Sequence, residues 1–148
     1  MTKVAVFIDG GQLRACAKSA KKPYTPGFVV QIAKACVQAG ETLFRILYYD
    51  CEEFAGSVKL PVSGAMKAYE GGNPFLSNLA REELVAVRRG ILKFRGWERR
   101  ASSLKPGAQS VALTDADFQT KWEQKGVDLR IGLDIVTMTE SHAAGIGN

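Results

Sequence analysis

Three carboxylates in this chain have surroundings that suggest chemistry. Asp9 directly follows the apolar run Val4–Ile8 and precedes two glycines, which leave the backbone there uncrowded. Asp128 follows a Lys-Gly-Val segment, and Asp134 stands between two apolar neighbours. A buried carboxylate without a partner costs several kcal/mol, so Asp134 requires a cation. Acids that converge at the carboxyl ends of strands can hold Mg²⁺ beside a scissile phosphate, where the metal activates water.

Each of these acids also has a structural interpretation. Asp9 can cap the turn that follows its strand, and Asp128 can cap the helix that follows it. Asp134 can pair with Arg130, one helical turn earlier. A metal site made of carboxylates needs no His, Cys or Ser nucleophile, which suits a chain with a single histidine.

Length and composition predict a single domain over residues 1–148. Apolar residues make up 46% and charged residues 24%, which excludes intrinsic disorder, collagen and coiled coil. No apolar run is long enough to cross a bilayer, and the N-terminus does not resemble a signal peptide. Three widely spaced cysteines without a CxxC pair argue against disulfides and zinc. We therefore expect a cytoplasmic protein with no membrane partner.

The net charge of +5 is unevenly distributed along the chain. Residues 10–22 contain four basic residues and no acid, and residues 81–105 contain eight basic residues and three acids. Such segregation attracts a polyanion, usually nucleic acid, although a solvated charged face has the same composition. Tyr24, Phe94 and Trp97 lie in or beside these stretches, where they either stack on bases or belong to the core.

The first half of the chain has the pattern of a parallel crossover unit. It predicts a strand at Val4–Ile8, a helix over Phe28–Gln38 and a strand at Leu43–Tyr49. Thr25 and Pro26 are suited to begin the helix, and Gly40 is suited to end it. The segment between the first strand and this helix is expected to be a loop. The second strand, like the first, ends at an acid, Asp50.

The second half predicts shorter elements. Residues 52–75 are expected to be irregular, apart from a short helix at Ala65–Glu70. The elements expected after them are a helix over Ser77–Arg89, a strand at Ile91–Trp97, a loop at Ser102–Gln109, an arm at Phe118–Gln124 that pairs with that strand, and a helix over Leu129–Ser141. The last helix has two apolar rows and is expected to pack deep against a sheet.

Three segments closely resemble the NYN domain, a PIN-like family that includes the LabA-like group. They are the first strand with Asp9-Gly10-Gly11, the triplet Tyr48-Tyr49-Asp50, and the block from Lys125 to Ile135. The resemblance extends from residue 3 to about residue 139. It implies a three-layer α/β/α, Rossmann-like fold with a mostly parallel central sheet. It also implies a nuclease that depends on Mg²⁺ or Mn²⁺ and acts on RNA.

Carried over to this sequence, the resemblance makes Asp9, Asp128 and Asp134 the catalytic metal ligands. Gln12 stands where the family usually has Asn. The family continues into a further strand with a Gly-Asp-Ser-Asp-Phe-like motif and another acid, whereas this sequence ends at Asn148. We therefore expect a C-terminally truncated domain with reduced activity and a sheet prone to self-association, for example as a homo-oligomer.

Three functional hypotheses follow. In the first, the chain is a metal-dependent endoribonuclease that holds single-stranded RNA. Its expected RNA contacts are Gln12, Arg14, Arg88, Arg89, Arg95, Arg99 and Arg100. In the second, it is a non-catalytic RNA-binding module. In the third, it is a small-molecule phosphoryl-transfer enzyme with Asp9 as nucleophile, which the lack of a second Asp two residues later and of a Walker loop argues against.

Overall fold

The computed structural model describes residues 2–103 and 112–145. The strands are β1 (Thr2–Asp9), β2 (Glu41–Cys51), β3 (Gly56–Lys59), β4 (Met66–Tyr69), β5 (Val85–Arg99) and β6 (Phe118–Lys125). The α-helices are α1 (Gly10–Ser19), α2 (Pro26–Ala35), α3 (Phe75–Ala80) and α4 (Val127–Gly145). Single 3₁₀ turns cover Ala101–Ser103 and Asp115–Asp117. Within the described ranges, no helix combines the length and the apolar character needed to cross a membrane.

The main sheet is mixed, with the strand order β1-β2-β5-β6. β1 and β5 run parallel to β2, but β6 runs antiparallel to β5. The predicted PIN-like three-layer fold is therefore wrong: the chain is mixed α/β with a curled mixed sheet, in which β1, β2 and β5 are parallel and β6 is antiparallel. The difference arises in β5, which pairs with β2 only as far as Gly90 and then continues, paired with β6.

The predicted crossover between two parallel strands is confirmed, with one helix more than expected. Pro26 opens α2 and the Thr25 side chain accepts a hydrogen bond from Phe28 N at 3.1 Å, as predicted. The expected loop after β1 is instead α1. The Asp9 carboxylate caps it by accepting from Gln12 N at 3.2 Å, and this cap outweighs the weak helix propensity of the two glycines.

Two predicted helices are wrong because strand pairing overrides their local pattern. Residues 66–69 form β4, which pairs with β3 in an antiparallel hairpin. The helix expected at 77–89 ends at Ala80, and Val85 already pairs with Ile46 of β2. Leu84 joins the two segments with a φ of +67°, which a helix does not contain. The predicted arm at 118–124 is confirmed as β6, whereas most of the predicted loop at 102–109 lies outside the described residues.

Two adjacent tyrosines of β2 organise the core on opposite faces of the sheet. Tyr48 and Tyr49 are both fully buried, and successive side chains of a strand point to opposite sides. Tyr48 belongs to a cluster with Ile8, Ile46, Val29, Ala33, Leu76, Leu79 and Val85. Tyr49 belongs to a smaller cluster with Leu47 and Val127, against which Phe7, Ile131 and Met138 also pack.

The deep packing predicted for α4 holds for only one side of the helix. Ile131 and Met138 face the sheet, but Leu129, Leu133 and Val136 are 69%, 57% and 56% exposed. α4 makes its main contacts with β2 and β5, and Ile135, from the same predicted row as Ile131 and Met138, is also 44% exposed. The structure thus leaves an apolar surface on the outer side of this helix.

Gly10 is required by the close approach of Tyr48. A Cβ built on Gly10 would lie 2.5 Å from the Tyr48 hydroxyl oxygen, closer than atoms can pack.

We expect Gly10→Ala to lower the free energy of unfolding by about 1–3 kcal/mol, measured by urea denaturation. Gly132→Ala is the matched control, since its Cβ would meet no atom within 4 Å; it should stabilise α4 by about 0.5–1 kcal/mol. Equal midpoints for Gly10→Ala and wild type would contradict the packing argument.

Candidate functional site

A cleft of about 1160 Å³ opens at the carboxyl edge of the parallel strands. Its walls come from α1, the end of β2, the start of α3 and the two strands β5 and β6. The side chains most relevant to binding are Arg14, Tyr24, Asp50, Phe75, Trp122 and Gln124. Ligands of open α/β sheets bind at this edge, so the cleft is the candidate site.

Asp50 is the charged centre of the cleft, although its residue is only 2% exposed. Its Oδ2 atom pairs with the Arg14 guanidinium and accepts a hydrogen bond from the Tyr48 hydroxyl at 3.2 Å. Its Oδ1 atom accepts from Cys51 N at 2.8 Å. Asp50 was not among the predicted site residues, although the sequence already placed an acid at the end of this strand.

The tyrosine hydroxyls extend this network into the cleft. Tyr48 donates to Asp50, so the 2.7 Å bond between the Tyr24 and Tyr48 hydroxyls has Tyr24 as donor. Burial raises the pKa of Tyr48, and its hydrogen bond with Tyr24 and the Asp50 charge raise it further. Burial also raises the pKa of Tyr24, so both hydroxyls keep their protons at neutral pH.

Arg14 is the part of the network that a ligand can reach. Its side chain is 48% exposed and lines the cleft, and the Tyr24 ring lies 5.5 Å from the guanidinium carbon. Burial is the largest single influence and works to lower the pKa of Arg14, but the charge and hydrogen bond of Asp50, together with Tyr48 and Tyr24, outweigh it and raise that pKa. A guanidinium has five N–H donors, so the pair with Asp50 leaves donors for an anionic ligand.

Asp9 lies next to the cleft, but its carboxylate binds a backbone N–H group of α1. Its carboxylate is the cap of α1, which is the structural alternative for this residue. A Cβ built on Gly11 would be 3.6 Å from Asp9 Oδ1 and 3.4 Å from Gln124 Nε2. The Asp9 carboxylate and the cleft-lining side-chain amide of Gln124 therefore both lie close to Gly11.

Asp134 lies on the opposite face of the sheet, where it has three hydrogen bonds to other side chains. The Tyr49 hydroxyl donates to it at 2.7 Å, and Arg88 binds both of its oxygens, at 3.0 and 3.1 Å. The Tyr49 hydrogen bond and the Arg88 guanidinium hold the pKa of Asp134 below its usual value. The cation beside Asp134 is therefore mainly Arg88; Arg130, the partner expected from sequence, donates to Arg89 O at 2.7 Å.

Asp128 is exposed in the first turn of α4. The turn is held near the carboxyl edge, since a Cβ on Gly90 would lie 2.8 Å from Val127 Cγ2. Over residues 2–103 and 112–145, no three His, Cys, Asp or Glu side chains are placed to hold a metal ion together. Asp9, Asp128 and Asp134 therefore do not fit a shared metal in this arrangement, and metal binding stays a prediction from the resemblance.

Several predicted RNA contacts have partners within the chain. Arg89 pairs with Glu52, and Arg95 pairs with Glu123. Arg99 donates to the Ser103 hydroxyl at 3.0 Å, and Arg100 donates to Phe118 O at 3.2 Å. Gln12 makes a 4.0 Å contact with the Cys16 sulfur. Lys105, the end of the predicted basic stretch, lies outside the described residues.

The antiparallel ribbon of β5 and β6 has two different faces. Its outer ribbon face includes Ile91, Lys93, Arg95, Glu98, Lys121, Glu123 and Lys125, all exposed. Cross-strand partners share a face, and the register pairs Ile91 with Lys125 and Lys93 with Glu123. This face therefore presents four basic side chains and two acids to solvent.

The inner face of the ribbon is aromatic and packs against the β3–β4 hairpin. Trp122 contacts Phe54 and Phe94, with ring centroids 5.3 and 5.5 Å apart. Phe94 and Trp97, predicted either to stack on bases or to pack, pack together at 5.6 Å. Tyr24 packs on Phe75 at 5.1 Å and also reaches the cleft.

Comparisons with family models, curated proteins and solved structures gave no match to this chain. The NYN resemblance therefore stays a prediction.

The environment of Asp134 predicts a pH-dependent contribution to stability. Its pKa is lowered in the folded state relative to about 3.9 in the unfolded chain. That contribution is therefore present above about pH 4 and is lost as the pH falls through the lowered value. We expect Asp134→Asn to be less stable than wild type at pH 7, with a difference that narrows below about pH 4.

Chemical denaturation between pH 2 and pH 7 measures this difference. Asp128→Asn is the matched control, because Asp128 is exposed on the same helix; it should change stability by less than about 1 kcal/mol. A gap between Asp134→Asn and wild type that stays constant with pH would show that the carboxylate contributes nothing through its charge.

Proposed function

We propose that this chain binds single-stranded RNA on the outer ribbon face and in the adjoining cleft. The observation that carries the proposal is the exposed outer ribbon face, with its four basic side chains and two acids. The NYN resemblance favours RNA as the polyanion. A cytoplasmic location belongs to the same proposal, since the widely spaced cysteines suit a reducing compartment.

Electrostatics supports a phosphate backbone as the ligand of this ribbon. β5 and β6 together contain seven basic and two acidic residues, so their net charge of +5 equals that of the whole chain. A strongly charged ribbon attracts phosphates and displaces their counterions, which makes the affinity depend on salt. Intramolecular pairs such as Arg95 with Glu123 are exposed on both sides, so a phosphate can compete for the guanidinium.

β6 links the charged face to the cleft. Its side chains alternate, so that Lys121, Glu123 and Lys125 are exposed on the outer ribbon face while Trp122 and Gln124 line the cleft. A strand whose phosphates follow the outer ribbon face therefore passes beside the cleft opening. There, Arg14 offers hydrogen-bond donors to a phosphate.

Metal-dependent hydrolysis of RNA stays the second proposal, and it rests on the resemblance. One observation favours it: Asp9 Oδ1 and the cleft-lining Gln124 Nε2 lie 3.6 and 3.4 Å from the position that a Cβ on Gly11 would take, so Asp9 is near the cleft. Asp134 is paired with Arg88, which argues against Asp9, Asp128 and Asp134 as joint metal ligands. We therefore assign no reaction step to these three acids.

Removing two lysines of the outer ribbon face should weaken RNA binding and its salt dependence. Lys93→Ala/Lys121→Ala removes two phosphate contacts, so the slope of log K against log salt should fall in magnitude by about 1.4. Binding is measured by fluorescence anisotropy with a labelled mixed-sequence single-stranded RNA, in EDTA, over a range of KCl concentrations.

The matched control is Lys22→Ala/Lys34→Ala, which removes the same charge from exposed lysines away from the ribbon. If the slope of log K against log salt fell equally in both double variants, binding would depend only on the net charge of the protein. That result would overturn the assignment of the RNA site to the ribbon. Cleavage of the same RNA in Mn²⁺, lost in Asp9→Asn, would instead support the hydrolase proposal.

A further inference from the structure

β1 forms an open edge of the sheet. In the described part of the chain, β1 pairs with β2 on one side and no strand pairs with its other side. An open edge presents unpaired N–H and C=O groups, which are a template for another strand. The middle of β1 is apolar, and Val4, Ala5, Val6 and Phe7 are only partly buried. α4 makes its main contacts with β2 and β5 rather than with β1.

We propose that a second copy of this chain pairs with this edge, β1 against β1, in an antiparallel two-fold dimer. Most homo-oligomers are symmetric, and the axis of such a pair is perpendicular to the sheet. The axis therefore places equivalent faces of the two sheets on the same side. Residues that lie opposite each other must then have sequence numbers with an even sum, because faces alternate along a strand.

Charge selects one register among those that symmetry allows. With the axis at Val6, Lys3 lies opposite the partner's Asp9 and Ala5 lies opposite the partner's Phe7. This register forms two equivalent ion pairs and sets a small side chain against an aromatic one. With the axis at Ala5, Lys3 would lie opposite the partner's Phe7, and Asp9 would have no residue of β1 opposite it.

The two charged groups are available for this contact. Lys3 is exposed, and its ammonium lies 5.8 Å from the centroid of the Phe44 ring. Asp9 accepts a hydrogen bond from Gln12 N, and a carboxylate has room for further donors. Pairing in this register joins two four-stranded sheets into one sheet of eight strands and leaves the β5–β6 ribbons at its two ends.

A cysteine at the axis tests the register directly. Opposite residues in an antiparallel pair have Cα atoms about 4.5–5.5 Å apart, within the range of a disulfide. In a Cys16→Ser/Cys36→Ser background, Val6→Cys should form a disulfide-linked dimer under mild oxidation, because Val6 lies opposite the partner's Val6. Val4→Cys, opposite the partner's Ile8, is the matched control and should remain mostly monomeric on a non-reducing gel.

Sedimentation velocity of the wild-type chain tests the association itself. Lys3→Glu converts both ion pairs into repulsions and should raise the dimer dissociation constant about tenfold at low salt. Wild type that remains monomeric at about 100 µM would overturn the proposal. The proposal would also be overturned if Lys3→Glu left the dimer dissociation constant unchanged and Val6→Cys and Val4→Cys cross-linked equally. Another surface, such as the outer side of α4, would then hold the two copies together.

Discussion

The buried charge of Asp50 is the constraint on which the carboxyl edge of the sheet depends. Asp50 ends the central strand of the parallel part of the sheet, and its carboxylate requires compensation there. Arg14 supplies the cation only because α1 begins immediately after β1. That start requires the Asp9 cap, and it requires the absence of a side chain at Gly10, where the Tyr48 hydroxyl approaches. The compensation of the Asp50 charge thus depends on the path that the chain takes from β1 into α1.

The same solution recurs on the other face of the sheet. Tyr49 follows Tyr48 directly, and its hydroxyl donates to Asp134 just as Tyr48 donates to Asp50. Arg88 completes the second pair as Arg14 completes the first. Neighbouring tyrosines therefore fix one acid on each side of β2. Asp134, one of the acids that the resemblance assigned to a metal, instead attaches α4 to the sheet.

The sequence predicted best where one local signal determined the element. The Thr25 cap, the Asp9 strand end and the β6 arm are examples. It failed at residues 77–89, because their helical spacing competes with pairing to β2, which no local pattern reveals. For the site, the sequence found Asp9 and Arg14 but not their assembly with Asp50. The partner of Asp134 was missed for the same reason, since Arg88 precedes it by 46 residues.

Internal pairing explains why the excess charge lies on the ribbon. Asp50 and Asp134 are each paired with an arginine, so neither pair contributes net charge to its face of the sheet. On the outer ribbon face, two glutamates accompany four basic side chains, and the hairpin covers only the aromatic side. Two positive charges there are uncompensated by those acids and in contact with water. The fold thus uses its acids to hold helices and leaves a basic strand pair exposed, which is the arrangement that a phosphate backbone would bind.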